Sequence, residues 1–137
     1  MNLNEVVELE ITDSGMNGEG VAHSDGKVVF VPYTLKGERV RAVVKQIKCK
    51  YAICSVIKVL SPSQHRTEPE CPHYFKCGGC DTRHLSADYR KTALIADLKN
   101  NLKKIANIAF DNIEFVPNSE ETPLRNKLSM PFGYKDG

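Results

Sequence analysis

Apolar and polar residues alternate through the first sixty positions, and that alternation limits the fold more than any other feature. Val7, Leu9 and Ile11 are interleaved with Glu8, Glu10 and Thr12, the period of two expected of a strand with one buried and one wet face. Similar short segments follow at Val21-Ala22-His23, at Lys27 to Val31, at Arg39 to Lys48 with Val40, Ala42 and Val44 on one face, and at Tyr51 to Leu60. Turn signals separate them: Asp13 to Gly20, then Ser24-Asp25-Gly26, then Leu35-Lys36-Gly37-Glu38. Gly15, Gly18 and Gly20 do not have the dinucleotide-binding spacing, and no helix pattern follows them, so they read as turn glycines. Five short strands with no intervening helix point to a small closed barrel of the OB type.

Beyond Ser61-Pro62-Ser63 the character changes. A helix is expected to open at Ser86, an N-cap with Asp88 in the first turn. Leu94, Leu98, Leu102 and Ile105 recur at helical spacing and read as a core-facing stripe, with Lys99, Lys103 and Lys104 on the polar face. Strand character returns from Asp111, with Ile113, Phe115 and Arg125 to Phe132. The expected architecture is mainly β with one long helix. It comprises a five-stranded barrel over 1–60, a linker and cysteine segment over 61–85, and over 86–137 a helix and the start of an α+β central domain. Lys135-Asp136-Gly137 resembles a hairpin turn without its return strand, so the chain is expected to be part of something longer. No apolar run approaches the roughly 20 residues of a membrane helix, and Met1 to Ile11 does not resemble a secretory signal, so a cytoplasmic location is expected.

Five cysteines without a signal peptide argue against a disulfide framework. Cys71, Cys77 and Cys80 lie within ten residues, with Gly78 and Gly79 between the last two allowing a tight backbone. Soft sulfur donors at this spacing favour zinc or an iron–sulfur cluster, either of which normally has four protein ligands when structural. The fourth place is open to His73 or His84, to Cys49 or Cys54, or to a cysteine beyond the chain. Cys49 and Cys54 themselves read as small apolar strand residues. A ferredoxin-like electron carrier is excluded by the lack of a second cluster motif.

Charge is distributed in blocks behind a net +2. Residues 1–35 hold six acidic residues and one lysine, whereas residues 36–58 hold seven basic residues against Glu38 alone. Lys36, Arg39, Arg41, Lys45, Lys48 and Lys50 are therefore candidate contacts to phosphates, with Tyr33 and Tyr51 as stacking surfaces.

Gly18 to Ala22, Asp25 to Pro32 and Gly37 to Val40 together resemble a TRAM domain, a small OB-type RNA-binding barrel found on RNA-modifying enzymes. Ser61 to Arg66, Cys71-Pro-His, Cys77-Gly-Gly-Cys80 and His84-Leu-Ser86 resemble the segment that follows it in bacterial RNA (uracil-5-)-methyltransferases. Arg125-Asn-Lys127 resembles the opening of their central domain, although Leu124 and Asp81-Thr-Arg83 depart from the family pattern. The resemblance implies a [4Fe–4S] cluster on Cys71, Cys77 and Cys80 with its fourth ligand outside this chain, and RNA contacts at Arg125 and Lys127. It also implies an S-adenosylmethionine-dependent parent enzyme, with a cysteine nucleophile and a glutamate base in a Rossmann-like domain. That domain is absent here, so no catalytic residue is expected among these 137. The expected partner is RNA, ribosomal ahead of transfer, bound by a monomer without a membrane. A stand-alone nucleic-acid-binding module with a zinc knuckle is the alternative.

Overall fold

The computed structural model describes residues 1–15 and 18–116. Arg125, Lys127 and the turn at 135–137 lie outside the described residues. The described chain forms β1 (Val6–Glu10), β2 (Asp13–Ser14), β3 (Gly20–Ser24), β4 (Lys27–Val31), β5 (Arg39–Ile47), β6 (Tyr51–Ser61), a short α1 (Tyr74–Cys77) and α2 (Ala87–Ala106). The sheet order is β1-β5-β6-β4-β3-β2. All pairings are antiparallel except β4 with β6.

Six strands replace the five expected because the loop after Ile11 keeps pairing. Ile11 N–H donates to Glu38 O at 2.9 Å on one side, and Thr12 N–H donates to Val21 O at 2.8 Å on the other. β1 and β2 are thus two parts of one bent strand. They hold opposite edges of the sheet, which leaves few backbone groups unpaired and closes the barrel.

Alternation decides what fills it. Leu9, Ile11, Ala22, Val29, Val31, Val40, Ala42, Val44, Ala52 and Cys54 form the buried core. Between Val44 and Gln46 the β5–β6 register shifts, an irregularity of the kind that coils a sheet into a barrel. Gly20 is a close-approach glycine rather than a turn glycine. It lies buried in β3, where a Cβ would collide with Thr34 Oγ1 and come within 2.8 Å of Ile11 Cγ2. Gly18, at φ +80°, does need its conformational freedom.

Three further expectations fail. α2 begins as expected, with Ser86 Oγ accepting from Tyr89 N–H at 3.4 Å, but it has no buried residue. Leu94, Leu98 and Ile105 are about half exposed or more, so the stripe does not face a core among the described residues. Helical periodicity reports only that one face is apolar, not what covers it. Residues 111–116 form no strand. Cys49 is not a strand residue but sits exposed in the turn between β5 and β6, because β5 ends at Ile47.

Candidate functional site

The barrel is joined to the cysteine segment by a buried ionic knot. Glu38 is fully buried at the start of β5. Its carboxylate accepts from Leu35 N–H at 2.8 Å and Ser63 N–H at 3.1 Å. Arg66 completes the set, with Nε at 2.6 Å and Nη2 at 2.8 Å, and Nη2 also donates to Tyr33 O at 2.7 Å. Burial pushes the Glu38 carboxyl up, but the Arg66 hydrogen bonds, the two backbone donors and the Arg66 charge together hold it below the ordinary carboxylate value. Residues 65–67 then run antiparallel to 84–86: Thr67 N–H donates to His84 O at 3.0 Å and Ser86 N–H to His65 O at 2.8 Å.

Against this knot packs an aromatic cluster. Tyr33 meets Tyr74 and Phe75 edge-on at centroid distances of 5.3 and 5.4 Å. The Tyr74 hydroxyl lies 2.7 Å from His84 Nδ1 and donates to Asp81 O at 2.8 Å. Burial first, then the Arg66 charge, lower the His84 pKa to about 4 against the smaller opposing pull of Glu38, so the ring is neutral near pH 7. His84 Nε2 is fully buried, and the Thr34 backbone beside the ring opposes the depression of its pKa.

The cysteines surround α1. Cys71 precedes it, Cys77 ends it, and Gly78 at φ +66° turns the chain toward Cys80. Arg83 Nε donates to Cys80 Sγ at 3.4 Å. That hydrogen bond first, then the charges of the nearby Cys80, Cys71 and Glu70, raise the Arg83 pKa against burial, so Cys80 and Cys71 lie close to one guanidinium. The donor set suits a soft metal centre. Its arrangement does not supply one by itself: among the described residues no three histidine, cysteine, aspartate or glutamate side chains are grouped to hold a metal. His73 and His84 therefore join no such group. Cys54, as expected, is a core residue, and burial raises its thiol pKa.

The basic block divides in two. Arg39 and Arg41 share a face with Glu8 on β1, with Arg41 Nη2 at 2.8 Å and Arg39 Nη2 at 3.8 Å from its carboxylate. The register pairs Glu8 with Arg41 and Glu10 with Arg39, so the acidic N-terminal block offsets this part of the basic one. Lys36 is exposed in the β4–β5 turn, while Lys45, Lys48 and Lys50 are exposed at the far end of β5 and in its turn. Among the described residues these four lysines form no ion pair. Lys27, which the charge blocks did not single out, joins them by donating from Nζ to Lys48 O at 3.1 Å.

Beside that hairpin lies the outer face of β3, β4 and β6. Val29 and Val31 point inward, so Val28 and Phe30 point out, next to Tyr51 and Ile53 in the parallel register. Phe30 and Tyr51 meet edge-on at 5.7 Å, with Tyr51 still 36% exposed. Tyr51, a candidate stacking residue from the sequence, lies on this face. Phe30 was missed, although the phase of its neighbours already placed it outside.

Residues 2–57 match the family model of the TRAM domain. The barrel is a TRAM/OB-like domain. Barrel and cysteine segment together are similar to RNA methyltransferases. An uncharacterised RNA methyltransferase of Halalkalibacterium halodurans is 33% identical over 138 residues, covering 100% of this chain and 30% of its own length. The 23S rRNA (uracil(1939)-C(5))-methyltransferase RlmD of Shewanella sediminis is 42% identical over 93 residues, 65% of this chain and 21% of its own. The chain thus spans less than a third of the curated relatives it matches. A conserved protein of Methanococcus maripaludis, solved in solution, is 34% identical with a TM-score of 0.41, covering 42% of this chain and 83% of that one. No described helix is long and apolar enough to cross a membrane.

Proposed function

We propose that this chain is the RNA-binding and cysteine-bearing part of an S-adenosylmethionine-dependent RNA methyltransferase that modifies uracil at C5, with ribosomal RNA as its substrate. The observation that carries the reading is the 33% identity extending through barrel, cysteine segment and helix alike. The barrel supplies what such a part needs: exposed lysines on a hairpin beside an exposed aromatic face. In this reading residues 1–60 grip RNA, residues 61–85 brace the junction, and residues 86–137, with Arg125 and Lys127, lead into a central domain. The protein acts in the cytoplasm as a monomer.

Cys71, Cys77 and Cys80 supply three ligands of a [4Fe–4S] cluster whose fourth ligand comes from the parent enzyme outside this chain. Methyl transfer to uracil moves no net electrons, so the cluster holds structure rather than cycling charge. Neither S-adenosylmethionine nor the uracil chemistry is assigned to any residue described here.

Binding of a single-stranded RNA by anisotropy, across a salt series, tests the RNA reading. The combined substitution Lys45→Glu, Lys48→Glu, Lys50→Glu is expected to weaken binding at least tenfold and to flatten the salt slope, which for single strands is about 0.7 per phosphate contacted. Arg39→Glu with Arg41→Glu is expected to do less, because Glu8 already meets part of their charge. Unchanged affinity in the lysine variant refutes the assignment. Anaerobic purification of the full parent enzyme with iron and sulfide analysis tests the cluster, and stoichiometric zinc in its place overturns it.

A further inference from the structure

A concavity of about 300 Å³ opens on the outer face of the barrel. Phe30, Pro32, Tyr33 and Ile53 line it, and Gly18, Glu19 and Asp81 complete its rim. The volume is at the small end of the range for ligand sites, suited to one planar ring system rather than a duplex. Two of its walls are aromatic.

Those walls are held in place from behind. Phe30 is flanked by Ile53 in the β4–β6 register and by the Tyr51 ring. Tyr33 adopts φ +64°, a conformation bulky residues seldom take unless their surroundings impose it. Here the surroundings do: Arg66 binds its carbonyl, and Tyr74 and Phe75 pack on its ring. The strained tyrosine therefore presents one side to the ionic and aromatic junction and lines the pocket with the other.

Charge orients whatever enters. Tyr51 follows Lys50 directly, and Lys27 Nζ is bonded to Lys48 O, so positive charge is concentrated along the hairpin edge of this face. Asp81 stands on the pocket rim. Its carboxylate repels a phosphate, which the lysines attract, while a neutral ring bearing N–H donors is acceptable inside. A single strand satisfies both demands, its backbone on the lysines and one base turned inward.

We propose that this pocket seats a single unstacked nucleobase of the RNA strand bound by the TRAM domain, sandwiched by Phe30 and Tyr33. The proposal rests on the RNA-binding reading above and adds to it a base-dependent site. It predicts that part of the affinity comes from a π-face rather than from phosphates, and so is insensitive to salt.

The test compares a fluorescein-labelled single-stranded RNA with the same backbone carrying abasic residues, using wild-type chain, Phe30→Ala, Phe30→Leu, and Lys48→Glu with Lys50→Glu. Wild type is expected to prefer the base-bearing strand by roughly 5- to 150-fold, the range of one base–aromatic stack. Both Phe30 variants are expected to lose most of that preference while keeping the salt slope. Phe30→Leu retains apolar volume, and its thermal melt shows whether the barrel is intact. The lysine variant is expected to weaken both strands alike. Equal binding of the two strands by wild type, or an undiminished preference in a folded Phe30→Leu, overturns the pocket but leaves RNA binding standing. Failure of wild type to bind either strand overturns both readings.

Discussion

Removing one partner of the Glu38–Arg66 pair should cost far more stability than surface ion pairs do. The Glu38 carboxylate is 0% exposed and accepts four hydrogen bonds, two of them from Arg66. Stranding a partner of a buried pair costs about 3–5 kcal/mol. Glu38→Ala should fall near the lower end, about 3 kcal/mol, because the Arg66 side chain is 18% exposed and its guanidinium can turn toward water. Arg66→Ala should cost about as much or more, since the carboxylate left behind has no route to solvent. The pH dependence then separates the two. In the wild type the Glu38 pKa is depressed, so its stabilisation is present above the unfolded carboxylate pKa and is lost as pH falls through the folded one. Without Arg66, burial opposes only two backbone donors, the folded pKa rises, and acid should favour this variant where it harms the wild type. Urea unfolding followed by circular dichroism at several pH values measures both effects. The double variant Glu38→Leu, Arg66→Leu should lose clearly less than the sum of the single alanine losses. Additive losses, or a Glu38→Ala cost below about 1 kcal/mol, would refute the claim that this pair locks the junction.

His84 adds a second acid-sensitive element. Its folded pKa of about 4 lies below the unfolded 6.5, so between those values the unfolded chain binds the extra proton and the folded state loses stability as pH falls. Relative to His84→Phe, the wild type should lose about 3 kcal/mol over that window and nothing further below it, as read by unfolding free energy against pH. Thiol labelling under native conditions should modify exposed Cys49 and Cys77 quickly and buried Cys54 only on unfolding; rapid Cys54 labelling would contradict its place in the core. Gly20→Ala should destabilise the barrel by about 1–3 kcal/mol through the collision with Thr34 and Ile11, whereas Gly26→Ala meets no neighbouring atom and suffers only from its φ of +73°. Thermal melts of the two variants should rank them in that order.

The strands were legible because period-two alternation is a local signal. Val29 and Val31 buried, Phe30 outside, needs no knowledge of the partner strand. The helix start was legible for the same reason, since Ser86 caps its own first turn. What α2 packs against was not, because an apolar stripe at Leu94, Leu98 and Ile105 looks the same whether covered or bare. The short α1 escaped notice because four residues give no periodicity to read. Basic residues could be counted along the chain, yet only pairing β1 beside β5 revealed that Glu8 faces Arg39 and Arg41 while the lysines of the hairpin form no ion pair among the described residues.

By itself the sequence determined the barrel, the hairpin turns, the helix cap and the gathering of three cysteines in ten residues. Each of these follows from neighbours close along the chain, where pattern and spacing carry the physics. The tertiary structure alone decided that Glu38, the one acid in a basic block, is the buried anchor for Arg66. It also decided that Tyr33 is forced into a strained conformation between junction and pocket. Those outcomes depend on burial and on partners 28 and 33 residues away, and the energy of a charge or a strained backbone is set by what surrounds it in space rather than by what adjoins it in sequence.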